Sequence, residues 1–192
     1  MSAGHQIRVG FMRMMMQSID RAPRSEQEAL MEAVGELHDV IMGASMLGWM
    51  DGDVNLEVIE RIHVRLGPER AAAFFGDHFR RVYAEAPFMA SFVKGLVRLT
   101  GDPGGYLRFL PRGYRQIFRN FGEWEVGDRA ETWAKASLVA PPERVFELDA
   151  AWLVHTAAAL ESFFDLVDVR GEVRLVSVEA PRRAVMRFSW ER

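Results

Sequence analysis

Five histidines and a complete absence of cysteine bound the chemistry available to this chain of 192 residues. His155 is the most informative of them. It stands in the run from 145 to 167, where Leu148, Trp152, His155, Ala159 and Phe163 fall on one helical stripe and Leu153, Ala157, Leu160 and Phe164 on a second. A helix that is apolar on two faces must be covered on two sides. His155 then points into an aromatic interior beside Trp152, where an imidazole serves as a hydrogen-bonded core residue, as a contact to a bound group, or as an acid or base.

Other residues carry weaker signals. Glu60 and His63, with Glu57 one turn earlier, have the Glu-x-x-His spacing of carboxylate-bridged metal centres, but those centres need a second such pair and the sequence has none. A solvated helix face is the expectation there. Asp77 and His78 are neighbours, so on a helix their side chains diverge by about 100° and form no dyad by themselves; a surface place is expected for His78. Arg112, Arg115 and Arg119 make a basic stripe suited to a phosphate, a carboxylate or an acidic protein surface, or to plain solvent. Met12, Met14, Met15 and Met16 suit an adaptable partner-binding surface or the filling of core gaps. The sequence contains no Ser-His-Asp order, Gly-x-Ser-x-Gly elbow, phosphate-binding Gly-x-x-x-x-Gly-Lys or dinucleotide glycine pattern, so no motif supports an enzyme.

Periodicity supplies the elements that position these residues. Residues 7–19 fit a helix, or a strand through Ile7, Val9 and Phe11 followed by a helix; helix is the preferred reading. Ser25 and Glu28 form a capping-box pattern ahead of a helix over 25–42. Leu56, Ile59, Ile62 and Leu66 mark another that stops at Gly67-Pro68, and Phe74, Phe75, Phe79, Val82 and Tyr83 a third that Pro87 breaks or kinks before Phe88, Phe92, Leu96 and Leu99. Beyond the turn at Gly101–Gly105, Tyr114, Phe118 and Phe121 share one helical face and the three arginines another. From residue 122 the period changes: Trp124 to Leu138 reads as a hairpin, 145–167 as a helix, and Val173–Val178 with Ala184–Trp190 as a second hairpin. The expected fold is α+β, a single domain in which a helical subdomain (1–121) packs on a C-terminal antiparallel sheet of β-β-α-β-β order (122–192).

Composition removes several functions. With 49% hydrophobic and 27% charged residues the chain has the profile of a globular domain. Without cysteine there are no disulfides, thiolate metal sites or cysteine nucleophiles, as suits a reducing cytoplasm. A net charge of −3 argues against nucleic-acid binding. No apolar stretch is long enough to span a bilayer, and the start lacks the order of a signal peptide, so no membrane insertion and a cytoplasmic location are expected. Only Lys94 and Lys135 among the 24 basic residues are lysines, and arginine suits planar anion contacts.

Gly101-Asp102-Pro103, then Leu107, Phe109-Leu110-Pro111, Tyr114-Arg115 and the closing Arg187-Phe188-Ser189-Trp190 resemble a large paralogous group of uncharacterised myxobacterial proteins. Over roughly residues 70–192 the layout is also similar to four-vinyl reductase ligand-binding domains and to heme nitric-oxide/oxygen-binding domains. That resemblance implies a helical subdomain on a sheet with a small molecule or heme between them. The heme-binding domains take their iron ligand from a histidine in the helix before the sheet. Here the corresponding stretch, Phe92 to Phe109, has none, and their Tyr-x-Ser-x-Arg signature is missing. The expectation is therefore no cofactor, with heme through His155 or His78 as a minor alternative.

The reading these residues support is a non-enzymatic small-molecule-binding or regulatory domain, with a hydrophobic ligand in an apolar pocket lined by Phe92, Phe118, Trp152, His155 and Phe163. A protein-interaction adaptor using Arg112, Arg115 and Arg119 is second, and an enzyme with His155 as acid or base third.

Overall fold

In the computed structural model, which describes residues 4–85, 103–147, 151–179 and 182–191, the chain starts with a short strand, Gln6–Arg8 (β1), that runs straight into helix α1, Val9–Asp20. The preference for helix from residue 7 is corrected here. β1 pairs antiparallel with Trp49–Asp51 (β2) and Phe118–Arg119 (β3) in a sheet of order β2-β1-β3. Ile7, opposite both Met50 and Phe118, is fully buried by those distant neighbours, and their backbone groups satisfy the strand.

The single helix expected over 25–42 is two, α2 (Arg24–Val34) and α3 (Glu36–Gly43). Gly35 separates them at φ +48°, a conformation no helix interior contains. Pro23, not Ser25, precedes the first turn, and no side-chain cap forms there. Helix α4 (Gly52–Leu66) is capped by Asp51, whose carboxylate accepts from the Asp53 N–H at 3.0 Å, and it ends at Gly67, φ +78°. Pro68 then opens α5 (Pro68–Glu85), a good first helical position for a residue with no N–H to donate. The continuation expected around Pro87 to Gly101 lies outside the described residues. Two short helices follow, α6 (Pro103–Leu107) and α7 (Leu110–Ile117). The second stops earlier than the helical spacing suggests, because Phe118 and Arg119 are drawn into β3; Arg119 thus leaves the face of Arg112 and Arg115.

The C-terminal part has the expected order: β4 (Glu123–Arg129), β5 (Trp133–Val139), helices α8 (Arg144–Glu147) and α9 (Ala151–Leu166), β6 (Gly171–Glu179) and β7 (Arg183–Trp190). The four strands form one antiparallel sheet, β4-β5-β7-β6. Ala134, Ala136 and Leu138 of β5 alternate inward with Ala184, Met186, Phe188 and Trp190 of β7. The fold is thus α+β, with helices on one face of an antiparallel sheet.

Helix α9 joins the two parts, packing on α5 and α4 on one side and on β6 on the other. This is the two-sided burial that its paired stripes require. Its fit to the sheet is close: a Cβ added to Gly171 would lie 2.6 Å from the Phe164 ring, so only glycine leaves room there. At the outer edge of the sheet, β6 exposes Leu175, Val176 and Val178, carries a bulge between Leu175 and Ser177, and gives its Val173 N–H to the Glu161 carboxylate at 3.0 Å. No helix among the described residues is long and apolar enough to cross a membrane.

Candidate functional site

Three helices converge on an aromatic junction. Helix α1 contributes Phe11, α5 contributes Phe75, His78 and Phe79, and α9 contributes Trp152 and His155, all buried. The His155 ring meets Phe75 edge-on at 4.7 Å and Phe79 at 5.2 Å, with Trp152 at 6.4 Å. Phe118 lies 6.1 Å from Trp152, and Phe121 stacks on the same indole at 5.4 Å. Three of the residues singled out from sequence, Phe118, Trp152 and His155, therefore meet. Phe163 does not join them: two turns further along α9, it stacks on Tyr106 at 3.3 Å. Phe92 lies outside the described residues.

The surface place expected for His78 is corrected, since the residue is only 1% exposed. The α5 stripe that buries Phe74 and Val82 carries His78 midway between them, at helical spacing, and turns it toward α1. Its Nδ1 lies 2.9 Å from the Ser18 hydroxyl oxygen, while that hydroxyl lies 3.1 Å from the Met14 carbonyl. His78 Nε2 and both ring nitrogens of His155 are buried with no hydrogen-bond partner among the described residues. Burial, and then the charge of Arg81, pulls the His78 pKa down to about 3; burial, and then His78, does the same to His155. Both imidazoles are consequently neutral near pH 7, each with one nitrogen lone pair in an apolar surrounding. A base this weak is poorly matched to proton abstraction near neutrality, but its lone pair suits a metal or a donor group of a ligand.

A second polar pair, buried Tyr83 and half-buried Tyr106, lies beside Phe163. Tyr83 and Tyr106 share a hydrogen bond, and burial pushes the Tyr83 hydroxyl up to about 12 and that of Tyr106 well above its ordinary value. On the face of α9 turned away from His155, an open cleft of about 470 Å³ lies between α5, α9 and β6, floored by small residues such as Ala72, Gly76, Ala157 and Ala158.

The remaining candidates are surface features. Glu57 pairs with Arg61 and Glu60 with Arg144, so the carboxylates near His63 are occupied by arginine. Arg112 and Arg115 are exposed beside Arg108, whereas Arg119 stacks on Trp49 at 3.9 Å, with Arg8 also over that ring at 4.2 Å. Sequence reasoning missed a cluster of His5, Asp51 and Asp53, whose potential donor atoms lie within 4.8 Å of one another. Arg144 already approaches Asp53 at 3.5 Å, and Asp51 is engaged as a helix cap.

A helical part set on a four-stranded antiparallel sheet, with one helix of the sheet unit buried between them, is the architecture of H-NOX domains. Among solved structures, an H-NOX protein from K. algicida in its Fe(II) unliganded form matches over 97% of both chains with a TM-score of 0.63 and 9% identity. The oxygen complex of an oxygen-binding H-NOX domain related to soluble guanylate cyclases matches with a TM-score of 0.62 and 9% identity, over 97% of this chain and 96% of that one. A variant of T. tengcongensis H-NOX matches with a TM-score of 0.57 and 11% identity, over 95% and 96%. No family model matches the sequence, and no curated protein matches it. At such identity the likeness is one of fold.

The expectation of no cofactor is overturned by this comparison. The solved structures that share the fold include the Fe(II) protein above and one that probes heme distortion in the H-NOX family. The missing histidine between Phe92 and Phe109 therefore does not justify the expectation of no cofactor. In this chain His155, with both ring nitrogens, and His78, with Nε2, keep buried imidazole nitrogens without a hydrogen-bond partner among the described residues, a donor type that heme iron takes from proteins. Phe75 and Phe79 pack directly on the His155 ring, so a guest at that imidazole displaces them.

Proposed function

We propose that this chain is a small-molecule-sensing domain that holds an apolar ligand or prosthetic group in the aromatic junction, with Phe118, Trp152 and His155 as its lining. The observation that carries the reading is His155, a buried imidazole neither of whose nitrogens has a hydrogen-bond partner among the described residues. An orphaned buried polar group costs about 1–3 kcal/mol, and a bound partner removes that cost. The H-NOX fold adds a precedent: helical and sheet parts that meet at α9 give a guest two bodies to bias. In this reading the boundary falls near residue 121, the domain works in the cytoplasm without nucleic acid, and the myxobacterial resemblance marks its relatives.

Native mass spectrometry of the purified chain, made in cells supplied with a heme precursor, tests it. A copurifying small molecule that is lost in His155→Leu supports the proposal. Protein that arrives empty and takes up neither hemin nor an apolar fluorescent probe overturns it.

A second reading, an adaptor for an acidic protein surface, draws on Arg112 and Arg115, which are exposed and carry no ion pair among the described residues. Arg115→Glu then abolishes capture of that partner, and unchanged capture removes the reading. His155 as a general base is disfavoured by its pKa of about 3.

A further inference from the structure

We propose that the loop between α3 and β2, residues 44–48, docks peripherally on an anionic phospholipid surface. Met46 and Leu47 enter the boundary between headgroups and acyl chains, and Arg112, Arg115 and Arg119 meet the lipid phosphates. None of these side chains lines the sensing junction, so the two proposals stand or fall separately.

Residues 40–50 contain no charged side chain. Three of the seven large apolar side chains exposed among the described residues fall in this run: Val40, Met46 and Leu47. Leu47 is the most exposed of the seven, at 84%, and its neighbour Met46 is 54% exposed, so the loop holds an apolar tip in water. The backbone beneath that tip is already paired. Arg8 Nη1 donates to the Leu47 carbonyl at 3.1 Å and Arg13 Nη1 to the Ala44 carbonyl at 3.4 Å. The Gly48 N–H donates to the Ser45 carbonyl at 2.8 Å, and the Gly48 carbonyl accepts from the Val9 N–H at 3.2 Å. Backbone groups satisfied from within lose little when the tip leaves water for lipid, where an unpaired one is costly. The seat is close as well: a Cβ at Gly10 of α1 would lie 3.1 Å from the Met46 carbonyl oxygen.

The base of the loop carries positive charge. Arg8, Trp49 and Arg119 share the outward face of the β2-β1-β3 sheet, opposite buried Ile7 and Phe118. Two guanidiniums are thus held on one indole, and neither has a carboxylate partner among the described residues. Arg8 Nε also donates to the Gln116 carbonyl at 3.3 Å, which sets α7, with exposed Arg112 and Arg115, beside the same face. Asp51, at the other end of that face, is engaged in capping α4. An apolar tip with an indole and arginines at its base has the composition of an interfacial anchor: the ring sits at headgroup depth, guanidinium forks take phosphate oxygens and the apolar chains go deeper. An acidic protein surface would match the arginines alone, whereas an anionic lipid surface matches the tip as well. No helix among the described residues is long and apolar enough to cross a membrane, so the contact is peripheral.

Co-sedimentation of the purified full chain with lipid vesicles tests this, comparing phosphatidylcholine alone with an equimolar mixture of phosphatidylcholine and phosphatidylglycerol. The chain is expected to pellet with the anionic vesicles, to stay in the supernatant over the neutral ones, and to be released as salt is raised. Leu47→Asp weakens binding by about tenfold or more, and Arg115→Glu and Arg119→Glu by at least about fivefold each. Leu47 is exposed, so its replacement leaves the fold in place, which an unchanged melting temperature verifies. Because the chain has no cysteine, Ser45→Cys accepts a single polarity-sensitive dye. Its emission shifts to the blue on anionic vesicles, while the same dye on Val64→Cys or Val176→Cys, at exposed positions elsewhere, does not shift. No binding to either vesicle, equal binding to both, or binding unchanged in Leu47→Asp overturns the proposal. Capture of an acidic protein that Arg115→Glu abolishes, without vesicle binding, overturns it too and assigns the arginines to that partner.

Discussion

The indole N–H of Trp152 donates to the side-chain oxygen of Asn55 at 3.2 Å, and the Asn55 amide in turn reaches the Met12 sulfur at 3.2 Å. One fully buried amide thus links α9 to α4 and α1 behind the junction. Replacing it by leucine strands the indole N–H in an apolar interior, and Asn55→Leu is expected to lower stability by about 1–3 kcal/mol. A double-mutant cycle with Trp152→Phe in urea measures the link, and a coupling energy near zero would show that the bond contributes nothing.

In the ligand-free chain, His78 and His155 titrate near 3, against 6.5 for an ordinary histidine. Between those values the unfolded chain binds protons that the folded chain does not. Stability is therefore full above pH 6.5 and falls as the solution is acidified. From pH 7 to pH 5 the loss approaches about 2 kcal/mol for each histidine. Denaturant midpoints across that range should fall, and His155→Leu should flatten the fall by roughly half; a profile unchanged by the substitution would mean that His155 is protonated in the fold.

His155→Leu should also raise the melting temperature of the ligand-free chain, because it exchanges a polar ring with no hydrogen-bond partner among the described residues for a hydrocarbon of similar reach. The expected gain is about 1–3 kcal/mol. Calorimetry that finds a lower melting temperature would reveal a partner for His155 and weaken its standing as a ligand contact.

Two backbone positions near the start of the sheet should respond in opposite directions. Gly122 has φ +91°, and a Cβ there would lie 2.7 Å from the Val139 carbonyl oxygen and 2.8 Å from the Pro141 nitrogen. Gly122→Ala is expected to cost about 2 kcal/mol or more. Ala140 sits at φ +52° with its side chain in place, so Ala140→Gly should relieve strain and stabilise by up to about 1 kcal/mol. Equal effects of the two substitutions in urea titrations would refute this account.

The parts of the fold legible in sequence are those with a sustained period. The stripe through Phe75 and Phe79, the alternation of Ala134, Ala136 and Leu138, and the double stripe of α9 each repeat often enough to fix an element and its buried face. β1 and β3 span only three and two residues, too short to show a period, and their pairing joins segments far apart in the chain. The site was legible in part. Trp152 and His155 follow from the α9 stripe, whereas His78, next to Asp77, reads as a surface residue. Its spacing from Phe74 and Val82 held the contrary signal, as did that of Asn55 on the stripe of Ile59 and Ile62. A polar residue standing at an apolar repeat position marks a buried polar group, as His78, Asn55 and His155 all do.

The outer strand of the sheet has a consequence for the chain in crowded solution. Leu175, Val176 and Val178 stand exposed on β6, next to backbone groups that another chain's strand could pair with. The bulge after Leu175 breaks the regular ladder, and the Glu161 carboxylate occupies the Val173 N–H. Together they act as a stop against growth by strand addition, so the glutamate guards the solubility of the molecule from a helix whose other face serves the interior.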